Sequence, residues 1–185
     1  MNELLSLGLG VLSYAFILLF IFNLLKIDYY NPIVKGFVNI YKPISKVSIF
    51  SNHLYTIFII AVLLRFSNFY ILYSSQYDAY TLGIISVIGV LNTSLTIFFF
   101  SIIGAVILSW VAPGSPNPIL QLIEEISSKL LEPIRKFIPS AGGLDFSPIF
   151  ALILIRQLEI LLASIIRSFI WKQKLSLLNL IKASI

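Results

Sequence analysis

The sequence predicts an all-α membrane protein whose four transmembrane helices form two tandem parallel repeats, each with an amphipathic interfacial helix between its two spans. Three observations carry that prediction. Of 185 residues, 58% are hydrophobic and only 11% charged, with a mean hydropathy of +0.98; soluble domains sit at about half apolar and about a quarter charged. Four long apolar stretches each reach the roughly 20 residues that a helix needs to cross about 30 Å of hydrocarbon. Finally, the Pro-rich, charged segment at 109–148, SWVAPGSPNPILQLIEEISSKLLEPIRKFIPSAGGLDFSP, has a diverged copy at 28–46, DYYNPIVKGFVNIYKPISK. Both carry Asn-Pro, an amphipathic stretch, then Pro-Ile and a basic residue.

The first repeat covers residues 1–81. Its opening apolar run, 4–25, lacks a basic leader and a small-residue cleavage site and is longer than a signal core, so it reads as an uncleaved spanning helix. Residues 31–42 place Ile33, Val34, Phe37, Val38 and Tyr41 on one side and Lys35, Asn39 and Lys42 on the other. A second span follows at 54–73.

The second repeat, 82–185, begins with a span at 82–111. In its amphipathic helix, 117–132, Ile119, Leu122, Ile123, Ile126 and Leu130 recur at helical spacing opposite Gln121, Glu124, Glu125, Ser128 and Lys129. Asn117 suits the N-cap, Pro118 suits the first helical position, where its missing N–H would be unpaired anyway, and Pro133 ends or kinks the helix. A helix that is apolar on one face and tied to spans at both ends gains most by lying in the interface, although packing on the bundle is an alternative. Gly142-Gly143 then allows the chain to turn, and Asp145 or Ser147-Pro148 caps the last span, 146–171. The third and fourth spans exceed a perpendicular crossing, which implies tilt or turns beyond the membrane. The tail, 172–185, is expected to form a short amphipathic helix along the far interface.

Charge sets the expected orientation. The first loop has Lys26, Lys35, Lys42 and Lys46 against one acid, Asp28, whereas SSQYDAY between the second and third spans has no Lys or Arg. The positive-inside rule makes the first loop cytoplasmic, the third loop with Lys129, Arg135 and Lys136 likewise, and both termini external. Lys172, Lys174 and Lys182 run against the rule. Because each copy holds an even number of spans, the copies share one direction and a pseudo-twofold axis along the membrane normal. The net charge of +5 flanks apolar runs, which is the mark of membrane orientation; no direct nucleic-acid partner is expected.

Enzymatic chemistry is not expected. With no Cys there is no thiolate metal site or Cys nucleophile, and the lone His53 has no carboxylate pair beside it; it reads as interfacial or capping. No glycine-rich phosphate loop or nucleophile elbow occurs, so no cofactor is expected. The informative polar side chains are Arg65, Arg156, Gln157 and Glu159, inside the spans. A lone charge there costs several kcal/mol, so each needs a partner or a polar cavity. Two readings stand: Glu159 neutralises Arg156 or Arg65 and holds the repeats together, or the duplicated arginines line an ion or small-solute path. Asn92, Thr93, Ser94 and Thr96 would line such a path or link helices.

The strings ILSWVAPGSPNPI and LEPIRKFIPSAGGLDFSPI, with the weaker first copy, resemble the YggT family of small bacterial membrane proteins, which extends to YlmG proteins and related chloroplast proteins. The similarity covers nearly the whole chain. Its motif falls on Asn117, Pro118, Pro133, Arg135, Pro139, Gly142, Gly143, Asp145, Ser147 and Pro148; in the first copy FSNHLYT stands where the Pro-x-x-Gly-Gly-x-Asp string would be. The resemblance implies a two-repeat proteobacterial-type integral membrane protein with no enzyme activity. It also implies associations with cell division and envelope organisation, osmotic-stress tolerance and, in plastids, nucleoid distribution and cytochrome assembly. The expected function is membrane organisation or assembly through cytoplasmic interfacial helices; the alternative is a small channel or transport accessory in ion or osmotic homeostasis. The expected partners are the lipid bilayer and other membrane proteins, with homo-oligomerisation compatible with the sequence.

Overall fold

A computed structural model describes residues 2–45, 53–138 and 145–183, which form six helices: α1 (Asn2–Leu25), α2 (Pro32–Ser45), α3 (His53–Tyr73), α4 (Ala79–Val111), α5 (Pro118–Phe137) and α6 (Ser147–Ala183). Helices α1, α3, α4 and α6 are long and apolar enough to cross a membrane. Each spans alone what a bilayer demands, because in hydrocarbon every backbone N–H and C=O must find its partner within the segment.

Helix α1 packs along α3, and α4 lies against α3, α5 and α6. All six helices feed one apolar core: Phe16, Ile17 and Phe22 from α1, Val34 from α2, Ile57 and Ala61 from α3, Val90 and Ile102 from α4, Leu122 and Ile126 from α5, and Ala151 and Ile155 from α6. Buried Ser86 and Ser94 return their hydroxyls to the carbonyls of Leu82 and Val90, one turn back, so small polar side chains enter the apolar contact without an unpaired donor. Outward-facing Leu63, Tyr70, Phe100, Ile149, Ile153 and Leu161 remain exposed on the spans, the surface expected to meet acyl chains.

The apolar faces of α2 and α5 are in large part turned to the protein. Leu122, Ile126 and Leu131 are buried, as are Val34 and Tyr41, which is packing on the bundle, the alternative the sequence left open, while Ile40 and Ile119 stay exposed. An apolar stripe gains as much from the adjacent spans as from acyl chains, and packing adds close van der Waals contact. Gly104 makes room for this: a Cβ there would stand 3.0 Å from Ile123 Cγ2.

Two other expectations change. Pro133 lies inside α5, which continues to Phe137, and Pro43 likewise lies inside α2. Proline removes an N–H and frees the carbonyl four residues back; Lys129 and Pro133 are both exposed, so solvent can satisfy it. The tail is not a separate helix, since α6 runs unbroken to Ala183 and residues 172–183 contain no Gly or Pro to interrupt it. Helix α1 ends where Lys26 adopts φ 53° and Ile27 N–H bonds back to the Phe22 carbonyl at 2.9 Å, a left-handed cap.

The Gly104 contact yields a prediction. Gly104→Val should lower detergent-solubilised stability by about 1–3 kcal/mol through overpacking against Ile123. Gly83, with nothing within 4 Å of an added Cβ, should accept Val with little change. Thermal melting of the two variants checks this, and equal shifts would contradict the proposed close approach of α4 and α5.

Candidate functional site

Two polar constellations lie within the spans, and α4 takes part in both. On α3, Arg65 extends its guanidinium over the rings of Tyr14 (5.1 Å) and Phe69 (5.3 Å) and donates from Nη2 to Thr93 Oγ1 at 3.3 Å. Gly89 admits it, since a Cβ there would stand 3.4 Å from Arg65 Nε, and that Nε is buried with no acceptor among the described residues. Aromatic faces stabilise a desolvated guanidinium by about 2 kcal/mol. One turn further, Asn68 donates to the Ser6 carbonyl of α1.

On α6, Arg156 Nη1 and Glu159 Oε2 form an ion pair at 2.9 Å, and Glu159 Oε1 accepts from Thr96 Oγ1 of α4 at 3.1 Å. The two side chains differ in setting, 68% exposed for Arg156 and 14% for Glu159, so the carboxylate is the member held in the protein and the guanidinium covers it from outside. A groove of about 420 Å³ lies here, lined by Asn92, Thr96, Phe100, Arg156, Glu159 and Ala163 among others. Gln157 is exposed beside it. Glu159 therefore pairs with Arg156, while Arg65 has no carboxylate among the described residues.

The two constellations correspond. Arg65 and Asn68 have the spacing of Arg156 and Glu159, and sliding the chain so that Asn31 falls on Asn117 brings Gly10 onto Thr96 and Tyr14 onto Phe100. An Asn68 Nδ2 stands 3.5 Å from a Cβ placed on Gly10, as Glu159 stands against Thr96. Asn68 and Tyr14 escaped the reading of the sequence because neither is charged; their register with Glu159 and Phe100 was the available signal.

The motif loop organises one end of the bundle. Asn117 Oδ1 accepts from Ile119 N–H at 2.9 Å and caps α5, and Asn31 Oδ1 accepts from Ile33 N–H at 2.9 Å in the same way. Asn31 Nδ2 also donates to the Pro118 carbonyl at 2.8 Å, and Asp28 N–H donates to Glu125 Oε1 at 2.8 Å. Glu125, on the polar side of the amphipathic helix, thus joins the α1–α2 turn to α5. At the other end of α5, Arg135 Nε meets Asp145 Oδ2 at 2.8 Å, and Asp145 Oδ1 accepts from Ser147 N–H at 2.9 Å. Pro148 occupies the first turn of α6, where an absent N–H is harmless. Pro139, Gly142 and Gly143 lie outside the described residues. Tyr41 O–H and His53 Nδ1, 3.1 Å apart, join α2 to α3 similarly.

Burial alone would raise the Asp145 carboxyl, but the Ser147 N–H and the Arg135 guanidinium outweigh it and hold the group below its ordinary 3.8. A depressed carboxylate contributes stability above its unfolded pKa, lost as pH falls through the native one. Asp145→Asn should therefore melt lower than the parent at neutral pH, by less than about 1 kcal/mol for so exposed a pair. The difference should shrink as pH falls through the ordinary carboxylate value and vanish below the depressed native one; a pH-independent difference would assign Asp145 a role other than its charge.

For the span pair, Glu159→Gln leaves Arg156 uncompensated at a depth where a charged residue costs roughly 2.5–3.5 kcal/mol. It should lower the melting temperature, and adding Arg156→Gln should restore much of the loss. Additive losses in the double variant would contradict the coupling.

Comparison with known proteins places these features. The CCB3/YggT family profile matches residues 84–166, which contain α5, the Arg135–Asp145 pair and the Arg156–Glu159 pair. The chain is 36% identical to an uncharacterized protein of Pseudomonas aeruginosa over 83% of this chain and 83% of that one. It is 33% identical to an uncharacterized protein of Haemophilus influenzae, covering 70% and 73% of the two chains. It is 26% identical to Escherichia coli K12 YggT, covering 76% and 77%. No solved structure matches. With relatives this similar over most of both chains, and the matched segment holding the capped α5 and its tether to α6, the chain belongs to the CCB3/YggT family.

Proposed function

We propose that the protein is a non-enzymatic membrane-organising or assembly factor, serving the cell envelope, division or a membrane complex, and that the joined α2–α5 surface is its working part. The observation that carries this reading is the junction itself. Asn31 and Glu125 bind α5 to α2 and to the α1–α2 turn at one end of the bundle, with much of both apolar faces covered. What remains outward is a mixed face with Lys35, Gln121, Ser128, Lys129 and Lys136, flanked by protruding Tyr30 and Phe137, 94% and 86% exposed. Exposed aromatics amid charge are the composition of a protein-binding surface.

We further infer that the halves are a tandem duplication, supported by the matching Asn31 and Asn117 caps, and that the α2–α5 end is cytoplasmic in an inner membrane, supported by its basic residues. A second reading, transport accessory, is favoured by the polar groove beside Arg156 and Glu159. It requires that Glu159→Gln change ion or solute flux in reconstituted vesicles.

Photo-crosslinking amino acids at Lys35 and Lys129 should capture a discrete membrane protein in cells, while the same group at Ile153, on the outward face of α6, should not. Lys35→Glu with Lys129→Glu should reduce capture through a neighbouring position by roughly tenfold or more, without lowering stability. A single cysteine at Lys129 should resist an impermeant thiol reagent in intact cells, and one at Gln76 should react. Unchanged capture in the charge-reversed variant would remove the surface from the function, and altered flux at parental stability in Glu159→Gln would replace it with transport.

A further inference from the structure

The basic residues of α6 that oppose the positive-inside pattern have a definite position. Arg167 lies 20 residues beyond Ser147, the start of the helix, which at 1.5 Å per residue is about 30 Å, one hydrocarbon thickness. Trp171 follows at about 36 Å, within the polar layer of about 5–7 Å that each face adds to the hydrocarbon, and Lys174 at about 40 Å, at the outer edge of that layer. Independent contacts mark the same level. Tyr73 ends α3 20 residues after His53; the Tyr80 and Phe169 rings meet at 6.3 Å; and the Gln173 amide lies against the α3–α4 turn at Gln76 and Asp78.

At this level Arg167, Trp171 and Lys174 are four and three residues apart and share one helix face. Together with Ser168 and Ile170 they line a groove of about 480 Å³. Trp171 is 64% exposed, and neither Arg167 nor Lys174 has a carboxylate partner among the described residues. The nearest turn offers Asp78, whose carboxylate is occupied in capping α4 through Thr81 N–H. Lys172 points elsewhere, over the Phe169 ring at 5.9 Å.

We propose that this groove binds the headgroup of an anionic phospholipid in the leaflet opposite α2 and α5. Arg167 at the hydrocarbon boundary and Lys174 above it hold the phosphate between them, and the Trp171 ring lies along the glycerol and upper acyl chain. The basic tail thus has its counter-charge in the lipid. A guanidinium and an ammonium on one face also recognise free phosphate esters, so the test separates lipid from soluble ligand.

Trp171 is one of two tryptophans; Trp110, the other, is 82% exposed at the opposite end of the bundle. In full-length Trp110→Phe reconstituted into vesicles, Trp171 fluorescence should be quenched more by phosphatidylglycerol spin-labelled on its upper acyl chain than by phosphatidylcholine labelled alike. Arg167→Gln and Lys174→Gln should each lower that preference about fivefold, and the double change should abolish it. Helix content by circular dichroism and Trp110 quenching in Trp171→Phe carrying the same changes report whether the fold is intact. Equal quenching by the two lipids in the parent would overturn the proposal, as would a preference that survives the double change in a folded protein. Displacement of the labelled phosphatidylglycerol by soluble glycerol phosphate, beyond the effect of sodium chloride at matched ionic strength, would overturn the lipid assignment in favour of a free phosphate ester.

Discussion

Two hydrogen bonds tie the halves of this protein together at the end where α2 and α5 lie: Asn31 to the Pro118 carbonyl and Asp28 N–H to Glu125. Along the spans the first pair, α1 with α3, and the second, α4 with α6, touch chiefly where α3 meets α4. Lateral packing between apolar helices in lipid has no hydrophobic drive to enforce it, so polar contacts at one end count for more than their number suggests. Asn31 serves both purposes at once, capping its own helix through Oδ1 and reaching the other half through Nδ2. Aspartate could supply the cap but not the second donor.

The intramembrane arginines find different kinds of partner in the two halves of the chain. In the second half a carboxylate at position 159 and a hydroxyl at 96 make a closed set with Arg156. In the first half the corresponding positions are an amide, Asn68, and a glycine, Gly10, and Arg65 turns to π faces and Thr93 across the boundary between halves. Arg65 thereby links α1, α3 and α4, whereas Arg156 closes on its own helix and α4.

Hydropathy made the four spans legible to within a few residues, because hydrocarbon imposes length and composition directly. The caps at Asn117 and Asn31 were legible for a local reason: an Asn-Pro step before an apolar periodicity has few other uses. What escaped depended on neighbours distant in sequence. Nothing local in Glu125 distinguishes it from Glu124, yet one reaches Asp28. Pro133 looked like a terminus because its intrinsic effect is to break helices, but packing of Leu131 and Ile134 on the bundle carries α5 past it. The apolar face of α5 was visible; that α4 comes close to it at Gly104 and Ile123 depends on how the chain folds back after Val111.

Helix α6 is anchored near both of its membrane boundaries and nowhere hinged. Asp145, tied to Arg135, fixes its start, and Gln173 touches the α3–α4 turn near the far surface. Between Pro148 and Ala183 no Gly or Pro interrupts the rod. A bar of this kind acts as a lever through the bilayer: a change in pitch at the α5 end reappears, undamped, as a sideways step on the other side. One degree of tilt over about 40 Å moves the far end by about 0.7 Å. Mechanical continuity between the two ends of the bundle is thus built into a single helix.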